Sequence, residues 1–86
     1  MIIRFANRFQ KDLRSITSKQ KKRVADVLRI FRKDPFVESL HNHKLKRDKK
    51  GLRAIAAGFV LRIVYREEGD HAIVLLLRVG SHGKVY

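Results

Sequence analysis

The spacing of apolar residues changes character once along the chain, and this change restricts the possible folds more than any other feature. Through residues 5–31 the apolar side chains recur every three or four positions, as on one face of a helix. From Gly51 onward they alternate with other residues or form short runs, as in strands. Helical spacing followed by strand spacing predicts an α+β fold.

Two helices are expected after a short first strand over residues 1–5. Apolar residues at helical spacing define the first helix: Phe5, Phe9, Leu13 and Ile16. Its charged side chains are expected on the outer faces: Arg8, Lys11, Asp12 and Arg14. Thr17 and Ser18 separate the helices and can cap the second one. The second helix has an apolar stripe of Val24, Val27, Leu28 and Phe31 and is expected to end at Asp34-Pro35.

The remaining strands complete a predicted β-α-α-β-β-β order in one domain over residues 1–86. Leu40 and Leu45 are expected to anchor the polar connection, and residues 67–70 are expected to form a hairpin turn. Strand parity divides the strand residues between two faces. The helical hairpin is expected to cover one face of a mainly antiparallel sheet, built from Phe59/Leu61/Ile63/Tyr65 and Ile73/Leu75/Leu77/Val79.

Positive charge is the strongest indication of a partner. The chain has 21 Lys and Arg against 8 Asp and Glu, a net charge of +13, and residues 1–50 hold 16 of these cations and 5 of the anions. Solubility alone needs a net charge of roughly 2–8. The excess favours a polyanion, above all RNA, whose counterions such a surface would release. An anionic membrane is less favoured, because no basic helix face is paired with a broad apolar one.

Several classes of protein are excluded or disfavoured by what the sequence lacks. It has no cysteine, so a disulfide framework or thiolate metal site is excluded, and a reducing compartment is expected. The longest apolar run, residues 72–77, is far too short to span a bilayer. Arg4 and Arg8 interrupt any apolar core of a signal peptide. The expected location is the cytoplasm, and no cofactor is expected.

Three arginines lie in apolar strands, where a charge is costly unless it reaches water or an anion. They are Arg53, Arg62 and Arg78. By strand parity, Arg62 and Arg78 are expected to emerge together on the open face, and no carboxylate in these strands is placed to neutralise them. One interpretation is that each arginine lies along the sheet and reaches solvent. Two on one face instead indicate a phosphate clamp.

Of the ionisable side chains, histidine has the ordinary pKa closest to neutrality. The chain contains four: His41, His43, His71 and His82. His71 follows a turn and is expected in solvent. No cysteine or carboxylate pair completes a metal site with His41 and His43. With arginine, a histidine pair suits metal-independent RNA cleavage, in which one proton leaves the 2′-hydroxyl and another reaches the 5′-oxygen. Tyr86 can stack on a base. These residue types alone leave an enzyme and a passive RNA binder equally open.

Three segments in order resemble a known family. They are His43-Lys44-Leu45 with Gly51-Leu52-Arg53, the stretch LRIVYR over residues 61–66, and LRVGSH over residues 77–82 with a terminal Val85-Tyr86. With the predicted order of elements, they resemble the RelE/ParE superfamily of toxins from type II toxin–antitoxin modules, especially its YafQ-like ribonuclease branch. The resemblance covers nearly the whole chain.

The resemblance implies an enzyme that cuts mRNA in the ribosomal A site without a metal and is silenced by an antitoxin. It implies His82 as the main general acid or base, with His43 as its counterpart or a substrate-orienting group. Arg62 and Arg78 would stabilise the phosphorane, and Tyr86 would position the scissile nucleotide. Which histidine is the acid stays open.

Some positions depart from the family pattern. Ala56 and Val60 stand where YafQ-like members usually have a histidine and an aspartate. Ile55 stands where the RelE type has a lysine, and Arg53 falls at another lysine position of that type. The ParE branch, which poisons DNA gyrase, generally lacks the paired histidines. A ParE-like gyrase inhibitor and an inactive RNA- or antitoxin-binding relic are the alternatives.

Two basic runs are expected to contact ribosomal RNA, one on the second helix and one in the connection to the strands. With Arg53, the expected RNA-binding residues are Lys21, Lys22, Arg23, Lys44, Lys46, Arg47, Lys49 and Lys50.

Overall fold

The computed structural model describes residues 1–46, 49, 51–70 and 72–86. The elements within them are β1 (Ile2–Phe5), α1 (Asn7–Arg14), α2 (Ser18–Lys33), β2 (His43–Lys44), β3 (Leu52–Ala57), β4 (Leu61–Glu68), β5 (Ile73–Ser81) and α3 (His82–Val85). A 3₁₀ turn, Glu38–Leu40, precedes β2. The predicted α+β fold is confirmed, with β2 and α3 as additions. No helix in the described ranges has the length and apolar character needed to cross a membrane.

The strands form one sheet in the order β1-β5-β4-β3-β2. Strand β1 pairs parallel with β5, and the other three pairings are antiparallel. Because β1 ends at Phe5, helix α1 continues along the second half of β5. The Ala6 N–H donates to the Leu76 carbonyl at 2.9 Å at this junction. Helix α1 therefore packs against the strand that contains Arg78.

Local signals account for α2. The Thr17 hydroxyl accepts a hydrogen bond from the Gln20 N–H at 3.1 Å, and the Gln20 side chain accepts one from the Thr17 N–H at 3.0 Å. This capping box satisfies backbone donors that the first turn leaves unpaired. The apolar stripe turns toward the sheet, and the helix ends at Lys33, before Asp34-Pro35. The predicted cap and stripe are confirmed.

The sheet has a packed cluster on each face. The larger one lies under the helices, where Phe31 meets Tyr65 edge-on with ring centroids 5.1 Å apart. The smaller one, on the other face, consists of Ala54, Val64 and Val85. The predicted anchor Leu40 is buried under the helices, and Leu45 packs against the smaller cluster.

A register shift corrects the predicted face of β5. Val64 lies opposite Arg78, whereas the next residue of β4, Tyr65, lies opposite Leu76, so Leu77 is an extra residue in β5. Such a bulge reverses the alternation of side chains. Val74 and Leu76 are consequently buried under the helices. The prediction that Ile73, Leu75 and Leu77 face the helices is therefore wrong, and that for Val79 is confirmed.

The boundaries of β4 also differ from the prediction. The strand begins at Leu61, so Phe59 belongs to the preceding turn and is fully exposed. Its predicted place in the core is wrong, whereas Leu61, Ile63 and Tyr65 are in the core as expected. Strand β4 extends to Glu68, and the following turn begins at Gly69 rather than two residues earlier.

Candidate active site

Helix α3 folds the end of the chain back over the open face of the sheet. Its Val85 is buried, at 4% exposure, against the smaller cluster. A Cβ atom on Gly80 would lie 3.0 Å from Val85 Cγ1, so glycine permits this close packing. The packing of α3 positions the two candidate residues at its ends, His82 and Tyr86.

The Tyr86 ring lies between two histidines. Its centroid is 4.3 Å from that of His82 and 6.2 Å from that of His43. The Tyr86 hydroxyl is 3.5 Å from His43 Nε2, at the long limit of a hydrogen bond. The fold thus brings together residues from β2 and α3 that are about forty positions apart in the sequence.

The backbone before β2 determines which nitrogen of His43 is available. His43 Nδ1 lies 2.8 Å from the His41 carbonyl oxygen, which can only accept a hydrogen bond. Nδ1 therefore carries the proton in the neutral ring, and Nε2 faces Tyr86 with its lone pair. His41 itself adopts a left-handed conformation with φ 49°. His43 Nε2 is consequently oriented to accept a proton from a group near Tyr86.

Tyr86 is a neutral phenol at physiological pH. Burial raises the pKa of its hydroxyl above the ordinary value of 10.0, and the nearby positive charge of Arg62 partly opposes this effect. The protonated hydroxyl can both donate and accept a hydrogen bond. The ring and the hydroxyl of Tyr86 are therefore suited to orienting a substrate rather than removing its proton.

Arg62 is anchored by one nitrogen at the turn between β3 and β4. Its Nη1 donates to the carbonyl oxygens of Leu61 at 2.8 Å, Gly58 at 3.1 Å and Phe59 at 3.4 Å. Within the described part of the chain, Nε and Nη2 of Arg62 form no hydrogen bond. These two nitrogens form an edge that can bind a phosphate in bidentate fashion.

Arg78 forms an ion pair that was not expected. Its Nε donates to Asp12 Oδ2 at 2.7 Å and its Nη2 to Asp12 Oδ1 at 3.3 Å, so the guanidinium is paired with a carboxylate of α1. The Val79 N–H donates to the same Asp12 Oδ2 at 3.1 Å. In the register Arg78 lies opposite Val64 of the open-face cluster, as predicted, but its guanidinium is held by Asp12 and is not free to act beside Arg62. The neutralising carboxylate comes from a helix, where strand parity gives no information.

Asp12 was expected on the outer face of α1, but its side chain is only 4% exposed. Burial by itself would raise the pKa of this carboxyl. Hydrogen bonds from Arg78 and the Val79 N–H, with the positive charges of Arg78 and Arg8, outweigh it and hold the pKa below the ordinary value. Asp12 is therefore ionised at neutral pH and orients Arg78.

Arg53 also lies apart from the ring cluster. It is opposite Tyr65 in the register and so shares the helix-covered face of the sheet. Its Nε donates to Asn42 Oδ1 at 2.9 Å, and its guanidinium lies 5.2 Å from the centre of the Phe36 ring. The Asn42 amide donates to the Tyr65 hydroxyl at 2.7 Å. Arg53 takes part in a network that supports the loop before β2.

The predicted RNA-binding lysines and arginines fall into two groups. Exposed side chains are those of Lys21, Lys22, Arg23, Lys44 and Lys46, and that of Lys49 is half-buried. Arg47, Lys50 and His71 lie outside the described residues.

A Cβ on Gly58 would be 2.8 Å from Arg23 Cδ, so Arg23 extends over the turn next to Arg62. Arg23 was expected to bind RNA but not to lie beside Arg62, and Asn42 was not anticipated, because these contacts join elements distant in the sequence.

A sequence profile of the family described as a bacterial toxin of type II toxin–antitoxin system, YafQ, matches residues 1–86. A search among curated proteins finds no match.

Solved structures share the fold. YafQ from E. coli superimposes with a TM-score of 0.81 at 16% sequence identity, covering 98% of this chain and 96% of that one. The toxin–antitoxin complex RelBE2 from Mycobacterium tuberculosis gives 0.78 at 21% identity, covering 94% and 96%. The archaeal RelE–RelB complex from Pyrococcus horikoshii gives 0.75 at 18% identity, covering 98% and 97%.

Proposed function

Because the chain belongs to the YafQ family of toxins from bacterial type II toxin–antitoxin systems, we propose that it is an endoribonuclease that cleaves mRNA on the ribosome. The observation that carries this proposal is the convergence of His43, His82 and Tyr86 at one end of the open sheet face. Two histidines supply a base and an acid, and the tyrosine between them supplies a surface for the substrate.

The proposed reaction is a transesterification within one nucleotide. His43 Nε2 accepts the proton of the 2′-hydroxyl as the 2′-oxygen attacks the adjacent phosphorus. The bond from phosphorus to the 5′-oxygen breaks, and protonated His82 gives its proton to that oxygen. The products are a 2′,3′-cyclic phosphate and a free 5′-hydroxyl. The tautomer that His41 imposes on His43 supports this assignment of base and acid.

Cationic groups lower the barrier by stabilising the dianionic phosphorane. The edge of Arg62 formed by Nε and Nη2, which has no hydrogen-bond partner among the described residues, suits this role. Arg78 would act from its position beside Asp12, which orients the guanidinium and reduces its net charge, so we expect Arg62 to contribute more. The raised pKa of Tyr86 keeps its hydroxyl protonated, so that it orients the phosphate by donating a hydrogen bond while its ring contacts a base.

The partners follow from the same proposal. Exposed basic residues on α2 and near β2 would dock the toxin on ribosomal RNA in the cytoplasm, with an affinity that falls steeply with salt. A cognate antitoxin would silence it. RelB is the partner in two of the structures that share the fold, which supports a protein inhibitor of this kind.

Expression of the chain without an antitoxin tests the function. We expect growth arrest and new mRNA 5′ ends that appear only while translation runs. His82→Ala and His43→Ala should abolish both effects, whereas Lys84→Ala, an exposed change on the same helix as His82, should abolish neither. Intact transcripts accompanied by supercoiling defects would instead identify a gyrase inhibitor and refute the proposal.

A further inference from the structure

The turn between β3 and β4 exposes an aromatic ring that the proposed mechanism does not use. Phe59 has a relative exposure of 101%, and the adjacent Val60 has 60%. A side chain that is as exposed in the fold as in the unfolded chain contributes no hydrophobic stabilisation. The presence of Phe59 therefore calls for a reason other than stability.

We propose that Phe59 is a stacking platform for the base of an unpaired mRNA nucleotide next to the cleaved phosphate. This inference rests on the proposed ribonuclease function and specifies how that site would hold its substrate. An aromatic ring stacks on any base, and adjacent cations hold the phosphate of the same nucleotide.

Cations border the ring on both sides. A groove of about 250 Å³ on one side is lined by Arg23, His41, Phe59 and Arg62, among others. A second groove of about 300 Å³ brings Lys19 together with Arg23 and Phe59. Neither groove has a carboxylate among its described lining residues. The apolar ring suits the flat base of a nucleotide, and the positive side chains around it suit the phosphate.

Arg62 connects this groove to the ring cluster. Its Nη1 donates to the carbonyl oxygen of Phe59 at 3.4 Å, while its positive charge acts on the Tyr86 hydroxyl. A phosphate held on the other edge of Arg62 would therefore be bound by a residue that contacts the Phe59 turn and acts on Tyr86. Such a phosphate leaves the neighbouring base within reach of Phe59, which makes Phe59 a positioning residue for the nucleotide beside the cleavage point.

The size of the apolar surface favours a nucleotide over a protein. Phe59 and Val60 are two adjacent side chains at one turn, whereas a stable protein interface needs about 800 Å² on each partner. A single base is fully stacked by one aromatic ring. An antitoxin segment at this turn is the competing occupant.

The test measures binding of a single-stranded RNA whose nucleotide at the mapped cleavage position has a 2′-deoxyribose, which prevents cutting. Fluorescence anisotropy gives the affinity of the full chain and of three variants. Phe59→Ala removes the ring, Phe59→Trp keeps a stacking surface, and Phe5→Ala removes a half-exposed ring at the β1 edge as a matched control. Each flanking nucleotide is also replaced in turn by an abasic one.

Phe59→Ala should weaken binding by about 5- to 150-fold, the range that loss of one stacked base produces. Phe59→Trp and Phe5→Ala should stay within about twofold of the parent on the same scale. One abasic position should weaken binding to the parent by the same factor as Phe59→Ala, and should have little further effect on that variant.

Three results would overturn the inference: unchanged affinity of Phe59→Ala, abasic effects equal in parent and variant, or no binding of the RNA by the parent. Loss of antitoxin binding by Phe59→Ala with unchanged RNA affinity would assign the turn to a protein partner instead. Loss of mRNA cleavage in His82→Ala is measured in a separate experiment, which tests the proposed function and not the stacking. A stacking failure beside intact, His82-dependent cleavage therefore leaves the proposed function standing.

Discussion

Replacing Asp12 with alanine should destabilise the protein far more than removing a charge from its surface. The carboxylate is 4% exposed and accepts two hydrogen bonds from Arg78 and one from the Val79 N–H. Alanine leaves the guanidinium and the backbone donor without an acceptor in a confined space. Both groups then lose the compensation for being removed from water.

The expected loss can be worked from these contacts. Breaking a buried ion pair by removing one partner costs about 3–5 kcal/mol. Arg78 retains 24% exposure and can recover part of its hydration, which reduces the cost, while the unpaired Val79 N–H adds to it. We expect a loss of about 3 kcal/mol in the free energy of unfolding.

Urea denaturation at neutral pH measures this loss. With a denaturant slope of about 1–1.5 kcal/mol/M for a chain of this size, the midpoint should fall by about 2–3 M. Thermal unfolding should shift by about 12–24 °C. Asp26→Ala is the matched control, because Asp26 pairs with Arg29 on the surface of α2, where both side chains are more than half exposed. That change should cost less than about 0.5 kcal/mol.

The pH dependence gives an independent check. The folded state holds the pKa of Asp12 below its ordinary value of 3.8. The ion pair therefore stabilises the fold fully above the unfolded pKa, and this contribution is lost as the pH falls through the lower folded pKa. The stability difference between parent and Asp12→Ala should be constant near neutrality and shrink only in strong acid. If Asp12→Ala shifts the midpoint no more than Asp26→Ala, the ion pair does not hold α1 against β5.

Three further changes test other parts of the fold. Gly80→Ala would place a Cβ 3.0 Å from Val85 Cγ1, so we expect α3 to shift, a loss of about 1 kcal/mol in urea denaturation and altered NMR signals of the histidine rings. Thr17→Ala removes the capping box of α2 and should cost about 1 kcal/mol; serine at the same position should restore most of it. Tyr65→Phe removes one of the two acceptors of the Asn42 amide, which keeps the Pro35 carbonyl, and should cost about 1 kcal/mol, a prediction that an unchanged melting temperature would contradict.

Helix α2 shows what was predictable without a structure. Its cap at Thr17, its apolar stripe and its end before Pro35 depend on residues within a few positions of one another. The same local reasoning failed for β5. The bulge at Leu77 arises from its pairing with β4, and a pattern of alternating residues contains no sign of it because Ala72 to Leu77 is apolar throughout.

For the candidate site, too, the sequence identified the residues, whereas only the structure shows how they are arranged. His43, Arg62, His82 and Tyr86 stood out by residue type and by resemblance to the toxin family. Their distances depend on the packing of α3, which brings Tyr86 within 3.5 Å of His43.

The positive charge, the α+β fold and the order of the main elements were determined by the sequence alone, since composition and hydrophobic period act locally or on the chain as a whole. The tertiary structure decided which cations are free. Arg78 and Asp12 are separated by 66 positions, so their pairing depends on where α1 meets β5. Among the described residues, Nε and Nη2 of Arg62 have no hydrogen-bond partner, because the turn presents its carbonyl oxygens to Nη1. An arginine's availability depends on the groups that surround it in space, and strand parity alone does not identify them.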